Sequence, residues 1–237
     1  MKKVILFGLG LLAFVACNKQ EQNGNVHLTG DIKGLSQGKL FIKKLQDTTL
    51  VTIDSINFKG NSNFDTAFDL ESPEVIYLFL DRGQTNSIDN SLAVFAEPGN
   101  ITINTSLNEF YRSAKVKGSK NHDLWKKFDS LNSKFTDANL ELITKRLQNE
   151  IDFNQKTHDS IEDAYQKLLV RKYRYVANFA ATHGDYEIAP YLALTEIPDI
   201  ALPYLDTVAK KMTPKVAESK YGKFLKEHIE ERKKSEQ

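Results

Sequence analysis

The chain has 237 residues and is 41% hydrophobic, 10% aromatic and 27% charged, an ordinary globular composition that excludes disorder throughout. Its formal charge of +1, from 32 Lys+Arg against 31 Asp+Glu, lacks the basic excess of a nucleic-acid binder, so no nucleic-acid partner is expected. One Cys permits neither an internal disulfide nor a dithiol redox site nor a cysteine-rich zinc site.

Met1-Lys2-Lys3 is a short basic start, and Val4 to Ala16 is a continuous apolar and small run of thirteen residues. A helix needs about 20 residues to span a hydrocarbon core, so the pattern is that of a secretory signal, residues 1–16. The run ends Leu12-Ala13-Phe14-Val15-Ala16-Cys17. That sequence resembles the lipobox of bacterial lipoproteins, with a small residue before an obligatory cysteine; Phe14 stands where Leu is usual. The resemblance implies cleavage before Cys17, acylation of its sulfur, and a membrane partnership through lipid, since two or more acyl chains anchor stably. Loss of Lys2 and Lys3 then changes the charge from +1 to −1. Residues 17–25 are polar with no apolar period and read as a lipidated tether. Asn18 after the cysteine, rather than Asp, argues against inner-membrane retention under the enterobacterial sorting rule. The expected address is the cell envelope, on the outer or inner membrane, with the folded part in the periplasm or at the cell surface.

From Val26 to Lys117 the pattern is β. Short runs at 26–30, 39–45, 50–55, 64–70, 75–80, 92–96 and 101–105, with Val116 last, are separated by Gly, Pro and Asn turns, of which Pro98-Gly99-Asn100 is the strongest. Val75 to Leu80 is apolar at every position, as in a strand buried on both faces. After Gly118 the period becomes helical. Leu124, Phe128, Leu131 and Phe135 recur at three and four, with Ser119 or Asn121 as cap; Leu140, Ile143 and Leu147 continue the stripe, and Ile151, Ile161, Leu168, Val176 and Phe179 follow. All of these are expected to pack in the core. Gly184 breaks the pattern, Pro214 opens a last helix, and the charged tail from Glu230 is expected to fray. The expected fold is α+β: an N-terminal antiparallel β-sandwich, jelly-roll-like, over residues 26–117, followed by an α-helical region over 118–237.

No catalytic constellation stands out, so no enzyme, cofactor or metal is expected. The five histidines lack metal-ligand spacing, and His122-Asp123 and His158-Asp159 read as surface pairs. Asp81-Arg82-Gly83 reads as a loop. One pattern exceeds its background: Asp, then a hydroxyl, then an apolar residue or Thr, six times where average usage gives about one. The hydroxyls are Thr48, Ser55, Thr66, Ser130, Ser160 and Thr207. The form resembles an O-glycosylation acceptor on exported proteins of some Gram-negative bacteria, while turn and cap chemistry accounts for it equally well.

Gly30-Asp31-Ile32-Lys33-Gly34-Leu35, Gly38-Lys39-Leu40-Phe41-Ile42, Asp54-Ser55-Ile56, Phe95-Ala96-Glu97-Pro98-Gly99-Asn100-Ile101-Thr102-Ile103 and Gly118-Ser119-Lys120-Asn121 together resemble a domain of unknown function found at the N-terminus of lipoproteins in one group of Gram-negative bacteria. Many such proteins continue through a helical linker, which Tyr175 to Ile229 resembles, into a thioredoxin-like domain of the thiol-disulfide interchange type. Here the chain stops where that domain would begin, and it has no Cys-x-x-Cys. The expected function is a non-catalytic binding or scaffold module with an envelope protein or a glycan as partner. The competing expectation is an accessory subunit to a separately encoded thioredoxin-like oxidoreductase. A hydrolase would require converging carboxylates or a Ser–His pair.

Overall fold

The computed structural model describes residues 23–81 and 90–236; Cys17, Arg82 and Gly83 lie outside them. The described strands are β1 (Val26–Lys33), β2 (Gln37–Gln46), β3 (Thr49–Lys59), β4 (Asn63–Phe68), β5 (Glu74–Asp81), β6 (Ser91–Ala96), β7 (Gly99–Ser106) and β8 (Lys115–Lys117). The helices are α1 (Lys120–Ile151), α2 (Gln155–Thr182), α3 (Ile188–Glu196), α4 (Leu202–Lys211), α5 (Pro214–Ala217) and α6 (Lys220–Ser235).

Two four-stranded sheets, ordered β4-β1-β7-β8 and β3-β2-β5-β6, face each other as a sandwich. The pairings are antiparallel except that β1 and β7 run parallel, from Val26 beside Gly99 to Lys33 beside Ser106. The sandwich is thus antiparallel apart from this one pair, whose cause is topological: β7 returns after a long excursion through the other sheet rather than through a hairpin. Val26, Leu28 and Ile32 of one sheet meet Leu40, Ile42, Ile76, Leu78 and Leu80 of the other in a dry core.

β5 is apolar at successive positions because both of its faces are covered. Ile76, Leu78 and Leu80 point into the sandwich, while Val75 and its partner Phe95 on β6 belong to a second core shared with the helices. Phe79, further along the outer face, is half-buried, with the Lys43 ammonium 4.9 Å from its ring centre. The molecule therefore has three layers, sheet, sheet and helices.

The junction between sandwich and helices is built by four of the five residues from Gly118 to His122. Gly118 has φ +93°, and a Cβ there would fall 2.0 Å from the Asn100 carbonyl, so β8 can hand over to α1 at this point only through glycine. Ser119 is the N-cap of α1: its hydroxyl accepts the His122 N–H at 3.0 Å and donates to the Phe95 carbonyl at 2.6 Å. The Asn121 amide donates to Glu97 at 2.8 Å and Glu187 at 3.0 Å, and its oxygen accepts the Ile188 N–H at 2.8 Å. One side chain thus ties the β6–β7 turn, α1 and the start of α3 together. His122 is buried, not a surface residue, because the cap presses the first turn of α1 onto β6, where its Nδ1 accepts the Phe95 N–H at 3.3 Å.

The tail does not fray at Glu230 but continues helically to Ser235. Arg232 holds it by donating to the carbonyls of Pro198 at 2.9 Å and Ile200 at 2.6 Å. These carbonyls lie in the α3–α4 connection, and sequence periodicity carries no sign of them.

The largest departure is at α1 and α2. They form an antiparallel hairpin whose tip is closed by a reciprocal pair: the Asn149 amide donates to the Asn154 carbonyl at 3.3 Å and accepts the Asn154 N–H at 3.2 Å. Asn154 also caps α2, accepting the Thr157 N–H at 3.0 Å. Leu124 and Phe128 of α1 and Val176, Ala177, Phe179 and Ala180 of α2 belong to the helical core, but nothing between Phe128 and Tyr173 does. Residues 130–171 thus form an arm in which, among the described residues, the two helices pack on each other through Ile161, Leu168 and the Arg146–Glu162 pair at 3.4 Å, with the Lys172–Glu196 pair to α3 at its base. Leu131, Leu140, Ile143, Leu147 and Ile151, expected in the core, are exposed. The last four share one helix face, as core packing requires, but that face of the arm has no neighbour among the described residues, while Leu131 lies on the opposite side of α1.

Candidate functional site

Two surfaces merit a functional reading: the seam between sandwich and helices, and the arm. The seam opens into a cleft of about 680 Å³ between the β2–β3 hairpin, the β4–β5 connection and α6, a volume ordinary for a ligand pocket. Three consecutive residues stitch its walls. Ser219 caps α6, accepting the Gly222 N–H at 3.3 Å. Lys220 donates its backbone N–H to the Ser72 hydroxyl at 3.1 Å, and its ammonium donates to the Leu45 carbonyl at 2.7 Å and to Glu74. The Tyr221 hydroxyl accepts the Val75 N–H at 3.0 Å. Burial, with Tyr191, Glu74 and Tyr77 nearby, pushes the Tyr221 hydroxyl's pKa well up despite the Val75 bond, so it stays protonated.

Glu74 is buried in the floor, between the ammonium groups of Lys220 and of Lys44, the latter at 3.7 Å. A carboxylate so placed is held by its two cations, which are thereby occupied. On the rim, Glu218 pairs with Lys226 at 3.1 Å, while Asp47, Glu71 and Glu227 have no ionic partner among the described residues. The cleft is polar and acidic at its mouth. Among the described residues, the Ser72 hydroxyl in its lining accepts the Lys220 N–H and is not hydrogen-bonded to a base.

Behind the cleft lies an aromatic lattice. Phe95 meets Trp125, Tyr191 and Tyr221 edge to face at 6.3, 5.5 and 5.8 Å. Asp129, one helical turn beyond Trp125, has its carboxyl raised by burial, with Glu196 adding to the rise and Lys126 opposing it. Glu196 itself is paired with Lys172 at 2.9 Å. His122, at the edge of the lattice, is lowered to about 4 by burial first and then by Lys126, against the opposing pull of Asp123. A neutral His122 suits a ring whose Nδ1 already accepts a backbone N–H, so it is a structural acceptor rather than a proton donor at neutral pH. Among the described residues no group of three or more His, Cys, Asp or Glu could hold a metal ion.

The arm offers the other surface. Leu140, Ile143, Leu147 and Ile151 are exposed by 56, 42, 57 and 82%. At about 100° per residue they fall within one arc of roughly 80° on α1, on the side away from Phe135 and Leu142, which turn towards α2. Phe153, beyond the end of α1 at the tip, is also exposed, its ring centre 5.9 Å from that of His158. This apolar stripe is the least expected surface of the molecule.

The six candidate acceptor hydroxyls are scattered rather than gathered. Thr48, at the β2–β3 turn, and Ser130, Ser160 and Thr207, on α1, α2 and α4, are exposed; Ser55 is half-buried on β3. Thr66 is 1% exposed and donates to Asp54, so no transferase reaches it in the folded chain. For Ser130 and Thr207, bonds to the Lys127 carbonyl at 2.8 Å and the Pro203 carbonyl at 2.7 Å are the ordinary back-bonding of helical hydroxyls. Cys17 lies outside the described residues, and among those described no helix is long and apolar enough to cross a membrane. Sequence reading missed the Glu74 ion pairs and the triple role of Asn121, which join residues far apart in the chain. The tip turn carried one local sign, the cap pattern from Asn154 to Thr157.

No curated protein and no solved structure matches the chain. Residues 26–125, the whole sandwich and the first turn of α1, match the family described as a domain of unknown function (DUF4369).

Proposed function

We propose that the protein is a cell-envelope lipoprotein, anchored through an acylated Cys17, that works as a non-catalytic binding and scaffold module with the arm as its working surface. The observation that carries the reading is the bare stripe Leu140, Ile143, Leu147 and Ile151. A stable fold gains nothing from holding four large aliphatic side chains in water on a helix face opposite its own packing partner, so the face is kept for something it touches. The anchor is supported by the position of the chain's single cysteine directly after a signal-like run. Fractionation of a Cys17→Ser variant tests it: the protein should leave the membrane fraction or remain unprocessed, and a correctly cleaved variant that still sediments with membranes refutes the anchor. The intact mass of the native protein reads lipid and any glycan at the five accessible hydroxyls in one measurement.

A further inference from the structure

We infer that the partner of the arm's bare stripe is a second copy of this chain, the two α1 helices pairing antiparallel about a two-fold axis. The inference rests on the reading of the arm as a working surface and names its occupant.

Four features of the arm lead to it. The stripe at 140, 143, 147 and 151 has spacings of three, four and four, which read almost the same from either end. A two-fold axis between Lys145 and Arg146 therefore seats Leu140 against Ile151 of the second copy, and brings each Leu147 near its equivalent. The same face of α1 closer to the body is already occupied: Trp125 packs on Tyr191 of α3, with ring centres 5.6 Å apart. A helix laid parallel along the stripe would run into α3 in both copies, whereas an antiparallel one leaves past the tip. The area is also suitable. At the exposures given above, the stripe presents on the order of 400 Å² per arm. Pairing two arms covers about twice that, and with the flanking polar atoms approaches the roughly 1,200 Å² at which specific interfaces begin. Charge disfavours a lipid surface as the occupant. From Asp137 to Lys167 four cations face seven carboxylates, a balance that anionic headgroups repel. The same surplus weakens self-pairing at low ionic strength, so pairing tightens as salt is added.

An interface near the lower size limit is of the weak, transient class in bulk. Chains tethered to one membrane meet at a much higher effective concentration, so the dimer belongs to the envelope.

The test is disulfide capture of the full-length chain in native membranes, where the acylated Cys17 does not react. Two Leu147 positions lie about 4.5 Å apart along the paired axes, within reach of a disulfide, while two Leu140 positions lie about 16 Å apart. Leu147→Cys should give a dimer under mild oxidation. Leu140→Cys and Ile151→Cys should each stay monomeric when expressed alone, yet give a dimer when co-expressed. Dimer from Leu140→Cys alone overturns the antiparallel register. A photo-crosslinker at Ile143 in the same membranes separates the remaining failures. If it labels only a different protein, and Leu147→Cys reacts with maleimide but gives no dimer, self-pairing is wrong and the scaffold reading stands. If it labels nothing, both are wrong.

Discussion

His122 gives the sharpest quantitative expectation, because one buried ring must be neutral for the helix to dock. Its Nδ1 accepts the Phe95 N–H, and its ring meets Trp125 edge to face at 6.1 Å. Protonation would place a hydrogen on Nδ1 facing that N–H and would put a charge in a buried site. The folded-state value is about 4 against an ordinary 6.5. Unfolding therefore takes up a proton between those limits, and stability falls as pH drops through 6.5 and stops falling, for this group, below about 4. Between pH 7 and pH 4.5 the loss is about 2 kcal/mol. Carboxylates titrate over the same range, so the comparison must be differential. In a His122→Asn variant the amide oxygen can take the place of Nδ1 as acceptor without titrating. Urea unfolding of both proteins across this pH range, followed by the fluorescence of Trp125, the single tryptophan, should show the native protein losing about 2 kcal/mol more than the variant. Parallel stability curves would show that His122 does not titrate on unfolding and that the docking of α1 is indifferent to its charge.

Two further substitutions probe the seam. Asn121→Ala removes three hydrogen bonds and leaves the buried Glu187 carboxylate without its amide donor, so it should cost about 2–4 kcal/mol in the same unfolding assay; a loss under about 1 kcal/mol would mean that water replaces the amide. Lys220→Met strands Glu74 with Lys44 alone and should cost about 2–4 kcal/mol, most of it recovered in the Lys220→Met, Glu74→Gln double variant; additive losses would show that the pair is not coupled.

The strand half was legible because its signals are local. Short apolar runs between turn residues marked the strands, the turn at Pro98-Gly99-Asn100 separated β6 from β7, and the unbroken apolar run of β5 announced cover on both faces. Partners distant in sequence were not legible. The parallel pairing of β1 with β7 joins residues 73 positions apart, and Lys220 reaches Glu74 across 146. His122 shows the same limit from the other side. Its neighbour Asp123 makes it look like part of a solvated pair, yet the two project about 100° apart from the first helical turn, one buried and one exposed.

The arm shows where periodicity stops being informative. A stripe at three and four says that a helix face is apolar; it does not say whether the neighbour belongs to the same molecule. Both sides of distal α1 carry such a stripe, with Phe135 and Leu142 on one side and Leu140, Ile143, Leu147 and Ile151 on the other, and only one α2 exists to cover them. Among the described residues, distal α1 therefore has two apolar faces and a single partner helix. Nor can the arm fold back to bury the second face, because α3 already occupies its upper end at Trp125. The reciprocal Asn149–Asn154 pair and the Arg146–Glu162 bridge keep the two helices in register out to the tip. Such care over a segment that contributes nothing to the core is expected of a surface that must be presented in one shape. A loose, polar hairpin would have served as a connection equally well.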